Sequence, residues 1–420
     1  MRILYVLHQF FPLHHTGTER LTLDLAKQIQ RMGNYVSVLT YEPSSPLKKK
    51  SESKFLIEGD PSTKDGFSKL DNYIKKREYQ IETIPVISFK HVEHKLGFKI
   101  FDEKLKKHLS EIVKDYDLIH FTHPMRFASL LKICKKLDKP TVLTLTDNWL
   151  LCPRGLVTSD HQLCDGPDGG KKCMNMCHYD KEVLARYNDA KFFFGNVDHL
   201  VAGSDFVRNT YAENDWNREI NLIPFSIDHS HVIPVGDPEE TVFGFIGTLI
   251  WHKGVHVLVK AFKMVENDKI KLKIFGRGDE RDPYIKDLIN LAKDDKRIEF
   301  CGTFDYQELP EVMKKLSIIV IPSSYKENFP LVMQIGLAYK KPIISSNLGG
   351  MPEVIKDGKN GFLFENENIE QLARIIHNLA QNPKEILKIK QNIEPPPRIE
   401  EEALLYENIY TSLLKPTIEL

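Results

Sequence analysis

The chain has 420 residues, with 58 Lys and Arg against 58 Asp and Glu and a hydrophobic content of 41%. This length exceeds one ordinary core and fits two α/β domains. The zero formal net charge argues against a general nucleic-acid-binding protein, which usually carries a basic excess. No apolar run approaches the roughly 18 residues of a membrane-spanning helix, and the apolar residues 1–7 are too few for a signal peptide, so a cytoplasmic protein is predicted.

Short apolar runs alternate with helical patterns in the first half of the chain. Residues 3–7 are predicted to form a buried strand, because short continuous apolar runs are typical of parallel sheets. A helix follows, with Leu21, Leu25 and Ile29 on one face, and Gly33 is placed to end it. The next strands are predicted at residues 35–41, 118–121, 141–145 and 199–202.

The same alternation restarts with a strand at residues 242–246. A helix is predicted from about Val255, and further strands at residues 272–275, 298–300, 318–321 and 342–345. Three prolines at 395–397 then break the chain before a final helix at about residues 399–414. Two such series predict an α/β protein with two parallel sheets, each covered by helices on both faces.

A stretch containing proline and histidine, residues 224–238, separates the two series. We therefore predict two doubly wound, Rossmann-like domains at residues 1–230 and 240–395, with the C-terminal helix (residues 399–420) packing back on the first domain. In open α/β sheets, ligands bind beyond the carboxyl ends of the strands. The loops that follow the strands are therefore the candidate sites.

Residues 43–78 interrupt this alternation and are rich in Lys, Ser, Asp and Gly. Such a composition predicts an exposed insertion. The alternative is a segment that touches an acceptor or an anionic membrane surface, because residues 48–50 are three consecutive lysines.

The loop at residues 247–254 follows the first strand of the second series. Lys253 lies at the start of the predicted helix, where free N–H groups and the helix dipole attract anions such as a diphosphate. The alternative is a surface lysine in a turn. Arg277, between Gly276 and Gly278, follows the next strand in the same way, and this repetition favours the phosphate-binding interpretation.

The segment 322–331 joins a buried strand to an apolar helix that is predicted to begin near Pro330. The N–H groups of Leu331 and Val332 would then point out of the helix start, as an oxyanion site requires. Glu327 is a candidate to accept hydrogen bonds from sugar hydroxyls, and a favourable partner of the helix dipole is its alternative role.

Glycines follow two more of the predicted strands. Gly349 and Gly350 come after the strand at 342–345 and allow the backbone to close on a ligand. Gly17 lies between the first strand and its helix, where the backbone can approach donor phosphates or an acceptor, although a single glycine is a weak signal.

Three runs in the second half carry a resemblance to a known family. Residues 327–338 (ENFPLVMQIGLA), 342–353 (PIISSNLGGMPE) and 357–361 (DGKNG) resemble the signature of the retaining GT-B glycosyltransferases of family four. The loops 247–254 (GTLIWHKG) and 16–19 (TGTE) are similar to two further loops of that family. The resemblance covers nearly the whole chain, and it implies the GT-B architecture of two Rossmann-like domains facing across a cleft.

The resemblance also implies a function. A nucleotide-sugar donor would be held mostly by the second domain, and a glycan, lipid-linked or other hydroxyl acceptor mostly by the first. Glu327 matches the first acid of the family's Glu-x7-Glu motif, which contacts the transferred sugar, and Lys253 matches its phosphate-binding lysine. With Asp147 as a second candidate catalytic residue, the candidate donor-binding set is Gly17, Thr248, Lys253, Arg277, Asn328, Phe329, Pro330, Leu331, Gly349 and Gly350.

Three positions depart from the family pattern. The second acid of the Glu-x7-Glu motif, which normally holds the ribose, falls on Ile335, beside Gln334. A common phosphate-binding arginine falls on Thr248, and a frequent histidine falls on Thr146, directly before Asp147. The implied reaction is transfer with retention, without a catalytic metal. A nucleotide-sugar epimerase and a binding protein that has lost activity are the alternative functions.

Four cysteines lie close together in the sequence, with the spacing Cys-x11-Cys-x8-Cys-x3-Cys. Four thiolates in one loop-like segment of a reduced compartment fit a closed, structural zinc site. Reduced or partly paired thiols are almost as well supported, and an iron–sulfur cluster is a third alternative. The four candidate ligands are Cys152, Cys164, Cys173 and Cys177.

Overall fold

The computed structural model describes residues 1–14, 16–42, 68–69, 75–90, 98, 103–229, 232 and 235–415. The chain divides into two compact units. One contains residues 1–225 together with the C-terminal segment from Ile399, and the other contains residues 226–398. In the described part of the chain, no helix is long and apolar enough to cross a membrane.

The first unit is built on one sheet that is parallel over most of its width. The strand order in the described residues is β3-β4-β5-β2-β1-β6-β7-β8-β9. The strands are β1 (Arg2–Val6), β2 (Tyr35–Tyr41), β3 (Ser68–Lys69), β4 (Lys75–Ile81), β5 (Ile84–Phe89), β6 (Leu118–Phe121), β7 (Thr141–Leu145), β8 (His199–Ala202) and β9 (Asn221–Leu222).

One edge of this sheet differs from the prediction. The strands β3, β4 and β5 pair antiparallel to one another, and β5 then joins β2 in parallel. The predicted exposed insertion at residues 43–78 lies mostly outside the described residues, including its lysines 48–50. Its last residues, 75–78, are the beginning of β4, and residues 76–78 pair with β5, so this end of the segment is part of the sheet.

Helices cover the first sheet. They are α1 (Gly17–Arg31), α2 (Glu103–Lys114), α3 (Leu130–Lys136), α4 (Lys171–Cys177), α5 (Glu182–Asn196), α6 (Asp205–Glu213) and, from the end of the chain, α14 (Ile399–Leu414). The central strands are rich in apolar residues because both of their faces are buried, and two apolar clusters lie on the two sides of the sheet.

The second unit has a six-stranded parallel sheet in its described residues, with the order β12-β11-β10-β13-β14-β15. The strands are β10 (Thr241–Ile246), β11 (Ile270–Phe275), β12 (Ile298–Gly302), β13 (Ile318–Ile321), β14 (Ile343–Ser346) and β15 (Gly361–Phe364). Helices flank it: α7 (Val255–Lys263), α8 (Pro283–Ala292), α9 (Leu309–Lys314), α10 (Leu331–Ala338), α11 (Met351–Val354), α12 (Ile369–Gln381) and α13 (Pro383–Gln391).

The C-terminal helix α14 is fastened to the first sheet by a chain of buried hydrogen bonds. The Tyr410 hydroxyl lies 3.0 Å from the Tyr5 hydroxyl and 2.7 Å from His120 Nδ1. The other nitrogen of His120 lies 2.7 Å from the Thr144 hydroxyl, which lies 2.8 Å from the Tyr406 hydroxyl. Burial lowers the pKa of His120 to about 3, so this ring is neutral. One helix thus bonds to β1, β6 and β7.

We predict that Tyr410→Phe lowers the free energy of unfolding by about 1–3 kcal/mol, because two buried polar groups lose a partner while the ring is retained. Denaturant unfolding measures the change. Tyr35→Phe is the matched control, since the Tyr35 side chain is exposed and its replacement is expected to change stability by less than about 0.5 kcal/mol. Equal stabilities of the two variants would contradict the prediction.

Candidate functional site

The order of strands in the second sheet selects one place for a ligand. The chain runs from β10 to β11 on one side and later returns to β13 on the other side of β10. At such a switch point the following loops diverge and leave a crevice at the carboxyl ends of the strands. The loops 247–254 and 322–330 follow β10 and β13, and the Ser324 N–H donates a 2.9 Å hydrogen bond to the His252 carbonyl.

A buried carboxylate lies at this point. Glu327 is only 6% exposed. Its Oε1 accepts hydrogen bonds from Lys253 Nζ at 2.6 Å and from the Ser323 hydroxyl at 2.7 Å, and its Oε2 accepts one from the Tyr325 hydroxyl at 2.8 Å. We call these four residues the Glu327 cluster. Its members come from two loops more than seventy residues apart.

The electrostatics of the cluster keep Glu327 ionised. Burial by itself raises the pKa of a carboxyl group, but the charge of Lys253 and the three hydrogen bonds outweigh burial here and lower the pKa of Glu327. The carboxylate is therefore an acceptor of hydrogen bonds at neutral pH. The partly buried ammonium of Lys253 also lies 5.2 Å from the centre of the Tyr325 ring.

The loop after β14 holds the backbone of Glu327. Gly350 N–H donates a 2.9 Å hydrogen bond to the Glu327 carbonyl oxygen. Gly349 has a φ of 60°, and a Cβ atom there would lie 2.0 Å from the same oxygen. Glycine is therefore required at 349, because any side chain would push the two loops apart. The loops after three neighbouring strands, β10, β13 and β14, thus contribute to one site.

The start of α10 lies directly beyond Glu327. The helix begins at Leu331 with Pro330 as its N-cap, one residue after the predicted start. Asn328 is buried and Phe329 is partly buried against the apolar core of the unit. Asn328, Phe329, Pro330 and Leu331 therefore lie in the same post-strand loop and helix start as Glu327.

Two predicted donor-binding side chains do not join the Glu327 cluster. Thr248 is exposed. Arg277 is 64% exposed at its side chain, and its guanidinium pairs with Glu280 at 3.1 Å. Only the backbone of Arg277 approaches the β10 loop, where its carbonyl accepts a 3.1 Å hydrogen bond from Leu249 N–H.

Ile335, the position of the family's second acid, packs against an apolar cluster of the second unit. Its neighbour Gln334 is buried, and neither end of the Gln334 amide has a hydrogen-bond partner among the described residues. The departure at position 335 therefore replaces a polar group by an apolar contact.

Tyr325 and Ser323 are cluster members that the sequence analysis missed. Both lie within four residues of Glu327, in the loop that had been selected, but hydroxyl groups in a loop have no distinctive pattern. Their position directly after β13 was the available signal.

In the first unit, Gly17 is the first residue of α1 and is exposed. Asp147 follows β7, and its side chain is 54% exposed. Asp147 Oδ2 lies 3.2 Å from His123 Nε2, and its Oδ1 accepts a 2.8 Å hydrogen bond from Trp149 N–H. The sequence analysis did not single out His123.

None of the four clustered cysteines forms a disulfide with another described residue, and two of them, Cys152 and Cys173, are buried. Burial first, and the neighbouring Cys152, Cys177 and Cys164 next, raise the pKa of the Cys173 thiol to about 12. Among the described residues, which include all four, no three His, Cys, Asp or Glu side chains are arranged to hold a metal ion. The arrangement gives no support to a zinc site, which stays a prediction.

Solved structures show which class this fold belongs to. The structure of Anabaena HepE in complex with UDP and glucose has a TM-score of 0.68 and 17% identity, and the alignment covers 98% of this chain and 100% of that one. Sucrose-phosphate synthase from Thermosynechococcus elongatus has a TM-score of 0.66 with 18% identity, and 98% of each chain is covered. The two parallel-sheet units have the GT-B architecture.

The family models identify the chain more closely. Residues 15–231 match Glycosyltransferase Family 4, and residues 228–394 match Glycosyl transferases group 1. The chain belongs to the glycosyltransferase family that these two models describe.

Relatives differ in how much of their length is matched. An uncharacterised glycosyltransferase of Methanocaldococcus jannaschii is 30% identical over 48% of this chain. The chain spans about half the length of such relatives, 56% of that protein and 41% of a second one from the same organism. O-antigen chain mannosyltransferase C of Escherichia coli is 22% identical, with 99% of each chain covered.

We predict that Gly349→Ala destabilises the protein by at least about 1 kcal/mol more than Gly358→Ala. Both glycines have a positive φ, but a Cβ at 358 meets nothing within 4 Å, whereas a Cβ at 349 collides with the Glu327 carbonyl. The matched pair therefore separates the collision from the backbone strain. Thermal or denaturant unfolding of the two variants measures the difference, and equal losses would show that the contact between the two loops is not tight.

The zinc prediction is checked by elemental analysis of protein purified without a metal-binding tag. One zinc per chain, with the four clustered thiols protected from a thiol reagent in the folded protein, would support it. A metal content near zero with freely reacting thiols would contradict it.

Proposed function

We propose that this protein is a retaining glycosyltransferase that moves a sugar from a nucleotide-diphosphate sugar to a hydroxyl group of a glycan or lipid-linked acceptor. The observation that carries the proposal is the Glu327 cluster at the switch point of the second sheet. A cation and an ionised carboxylate lie side by side there, at the start of a helix.

The two charged groups have different partners on a nucleotide sugar. The Lys253 ammonium has only donors, so it binds the diphosphate, and the first N–H groups of α10 add positive potential. The ionised Glu327 has only acceptors and repels phosphate, so it binds sugar hydroxyls. Because Lys253 and Glu327 already neutralise each other, the buried carboxylate is stable before the donor arrives.

The roles of these groups follow from where charge develops during sugar transfer. As the bond to the diphosphate breaks, the sugar acquires oxocarbenium-ion character and the leaving group becomes more negative. Lys253 and the start of α10 stabilise the leaving diphosphate, while Glu327 orients the sugar. No step requires a metal. Retention of configuration and a glycan or lipid-linked acceptor are inferred from the resemblance of the sequence motifs to the family signature.

Named relatives favour a polysaccharide acceptor. Besides the O-antigen chain mannosyltransferase, a poly(ribitol-phosphate) alpha-N-acetylglucosaminyltransferase of Staphylococcus aureus is 22% identical, with 80% of this chain and 68% of that protein covered. The HepE complexes contain UDP, UDP with glucose, or UDP-glucose. A uridine, guanosine or adenosine diphosphate sugar is therefore the donor class to be screened.

The donor screen is a thermal unfolding assay with UDP, GDP and ADP and their glucose, mannose and N-acetylglucosamine derivatives. A ligand at 100 times its Kd stabilises the folded state by about 2.7 kcal/mol, so a true donor raises the Tm. No rise with any of these compounds would contradict the proposal.

We predict that Lys253→Ala weakens binding of the selected nucleoside diphosphate at least tenfold and leaves binding of the nucleoside nearly unchanged, because its partner is the phosphate. Calorimetric titration measures both. Lys260→Ala is the control, since Lys260 is an exposed lysine on the neighbouring helix α7. Equal weakening for both ligands would mean that the substitution damages the unit instead of removing a phosphate contact.

We predict that Glu327→Gln lowers the rate of donor breakdown by about 10- to 100-fold, the loss of one charge-assisted hydrogen bond that tightens in the transition state. Release of the free nucleoside diphosphate measures the rate, with water as the acceptor. A wild-type rate would show that Glu327 only balances the charge of Lys253.

A further inference from the structure

Three side chains lie at one edge of the first sheet and have a common position on their strands. His8, His123 and Asp147 each come two residues after the end of β1, β6 and β7. These strands are neighbours in the order β1-β6-β7, and the chain changes direction around β1, which lies between β2 and β6. The carboxyl edge at such a switch point is where open α/β sheets bind ligands.

The hydrogen bonds of His123 define what this ring does. The Met125 N–H donates a 3.3 Å hydrogen bond to His123 Nδ1, so the neutral ring carries its proton on Nε2. That nitrogen donates to Asp147 Oδ2 at 3.2 Å. Both ring nitrogens are therefore occupied by the protein, and His123 is 3% exposed. The ring can orient Asp147 but cannot itself present a nitrogen to a substrate.

Asp147 is the exposed member of the pair. A carboxylate has about four acceptor positions. Two of them are occupied, by Trp149 N–H on Oδ1 and by His123 on Oδ2, and the side chain is 54% exposed. Removal of part of the side chain from water acts to raise the pKa of Asp147, but the hydrogen bonds from His123 and from the Trp149 N–H outweigh this and lower the pKa. An ionised acceptor with room for further hydrogen bonds thus faces solvent at this edge.

The surroundings keep this carboxylate in place. The His8 and His123 rings are 4.1 Å apart, and His8 Nδ1 is buried without a hydrogen-bond partner among the described residues. Thr146, where the family often has a histidine, uses its hydroxyl to donate a 3.0 Å hydrogen bond to the Thr122 carbonyl. The imidazole at the end of β7 is therefore that of His123, which comes from the neighbouring strand β6. The exposed polar group there is Asp147, the residue after Thr146.

We infer that Asp147 accepts a hydrogen bond from a hydroxyl of a sugar substrate, and that His123 is the positioning residue that fixes the Asp147 carboxylate for this contact. The inference rests on the proposed function, since it assigns a hydroxyl contact for that reaction. A hydroxyl is the matching chemistry because it can donate to a carboxylate while carrying no charge that would require a second ion. It can belong to the acceptor or to the transferred sugar.

The test uses the full chain and the nucleotide sugar that raises its Tm most in the donor screen, with water as the acceptor. For each variant we measure the Kd for the intact donor, the turnover rate of donor hydrolysis and the Tm. Asp147→Asn keeps the shape and loses the charge. His123→Phe keeps a ring and loses the hydrogen bond, whereas His123→Gln restores an N–H donor. Asp138→Asn is the matched control, because exposed Asp138 precedes β7 at its opposite end.

We expect Asp147→Asn and His123→Phe each to lower turnover about tenfold or more at a temperature where both variants are folded, with the Tm unchanged for Asp147→Asn. We expect His123→Gln to recover at least part of the loss and Asp138→Asn to equal the wild type. An unchanged donor Kd with lower turnover places the contact in the transition state, either with the reacting hydroxyl whose place water takes in this assay or with the transferred sugar. A weaker donor Kd assigns it to the transferred sugar.

Two results would overturn the inference while the proposed function stands. If Asp147→Asn keeps wild-type turnover and donor Kd, Asp147 makes no substrate contact. If Asp147→Asn is impaired but His123→Phe equals the wild type, His123 does not position it. A wild-type protein that binds none of the nucleotide sugars would instead overturn the proposed function, and this inference with it.

Discussion

A carboxylate buried to 6% exposure sets the strongest constraint on the second unit. An ionised carboxyl group away from water is unstable unless it is paired and hydrogen-bonded. Glu327 meets this condition only because β10 and β13 are neighbours, so that Lys253 from one loop reaches the carboxylate on the next. The loop after β14 closes on the Glu327 backbone through Gly349 and Gly350. The strand order, Gly349 and the pairing of Lys253 with Glu327 are therefore all needed to hold this buried carboxylate.

In the first unit, a helix from the end of the chain supplies hydrogen-bond partners to buried polar groups of the sheet. Tyr5, His120 and Thr144 lie on β1, β6 and β7, and the hydroxyls of Tyr406 and Tyr410 on α14 link them. These are the same three strands whose ends carry His8, His123 and Asp147. The helix therefore fixes the relative positions of the strands that present the polar edge. Loss of α14 would affect this edge although α14 supplies none of its side chains.

The sequence was sufficient for most of the strands and for the loop that carries Glu327. Largely apolar runs without Asp, Glu, Lys or Arg predicted β2, β6, β7, β8 and β13 with their observed bounds, because strands buried on both faces are rich in apolar residues. The strands β4 and β5, which follow the edge strand β3 in the strand order, were missed. β4 begins with charged residues and alternates in polarity, as a half-exposed antiparallel strand does, and such a pattern is easily taken for a polar segment.

Residues that depend on strand order were harder to predict. His8, His123 and Asp147 are separated by 115 and 24 residues, and no local pattern unites them until β1, β6 and β7 are placed side by side. Tyr325 had a local signal only through its position after β13. For the four cysteines, spacing along the chain left several interpretations open, since spacing does not determine whether the thiols point to a common centre.

The departures from the family pattern reduce the number of charged groups at the proposed donor site. With Thr248 in place of an arginine and Ile335 in place of an acid, one positive and one negative group are absent, so the net charge of the site is the same while its number of ionic contacts is smaller. In the Glu327 cluster, Lys253 is the cation, and it is already paired with Glu327. In the proposed reaction, a bound diphosphate would therefore share this ammonium with a carboxylate, and the start of α10 would supply the remaining positive potential. Because part of the attraction for phosphate is offset before the donor arrives, contacts to the transferred sugar become a larger share of donor recognition. Under the proposed function, Glu327 would then be both the counter-ion that stabilises the cluster before the donor binds and the group that distinguishes a sugar donor from a bare nucleotide.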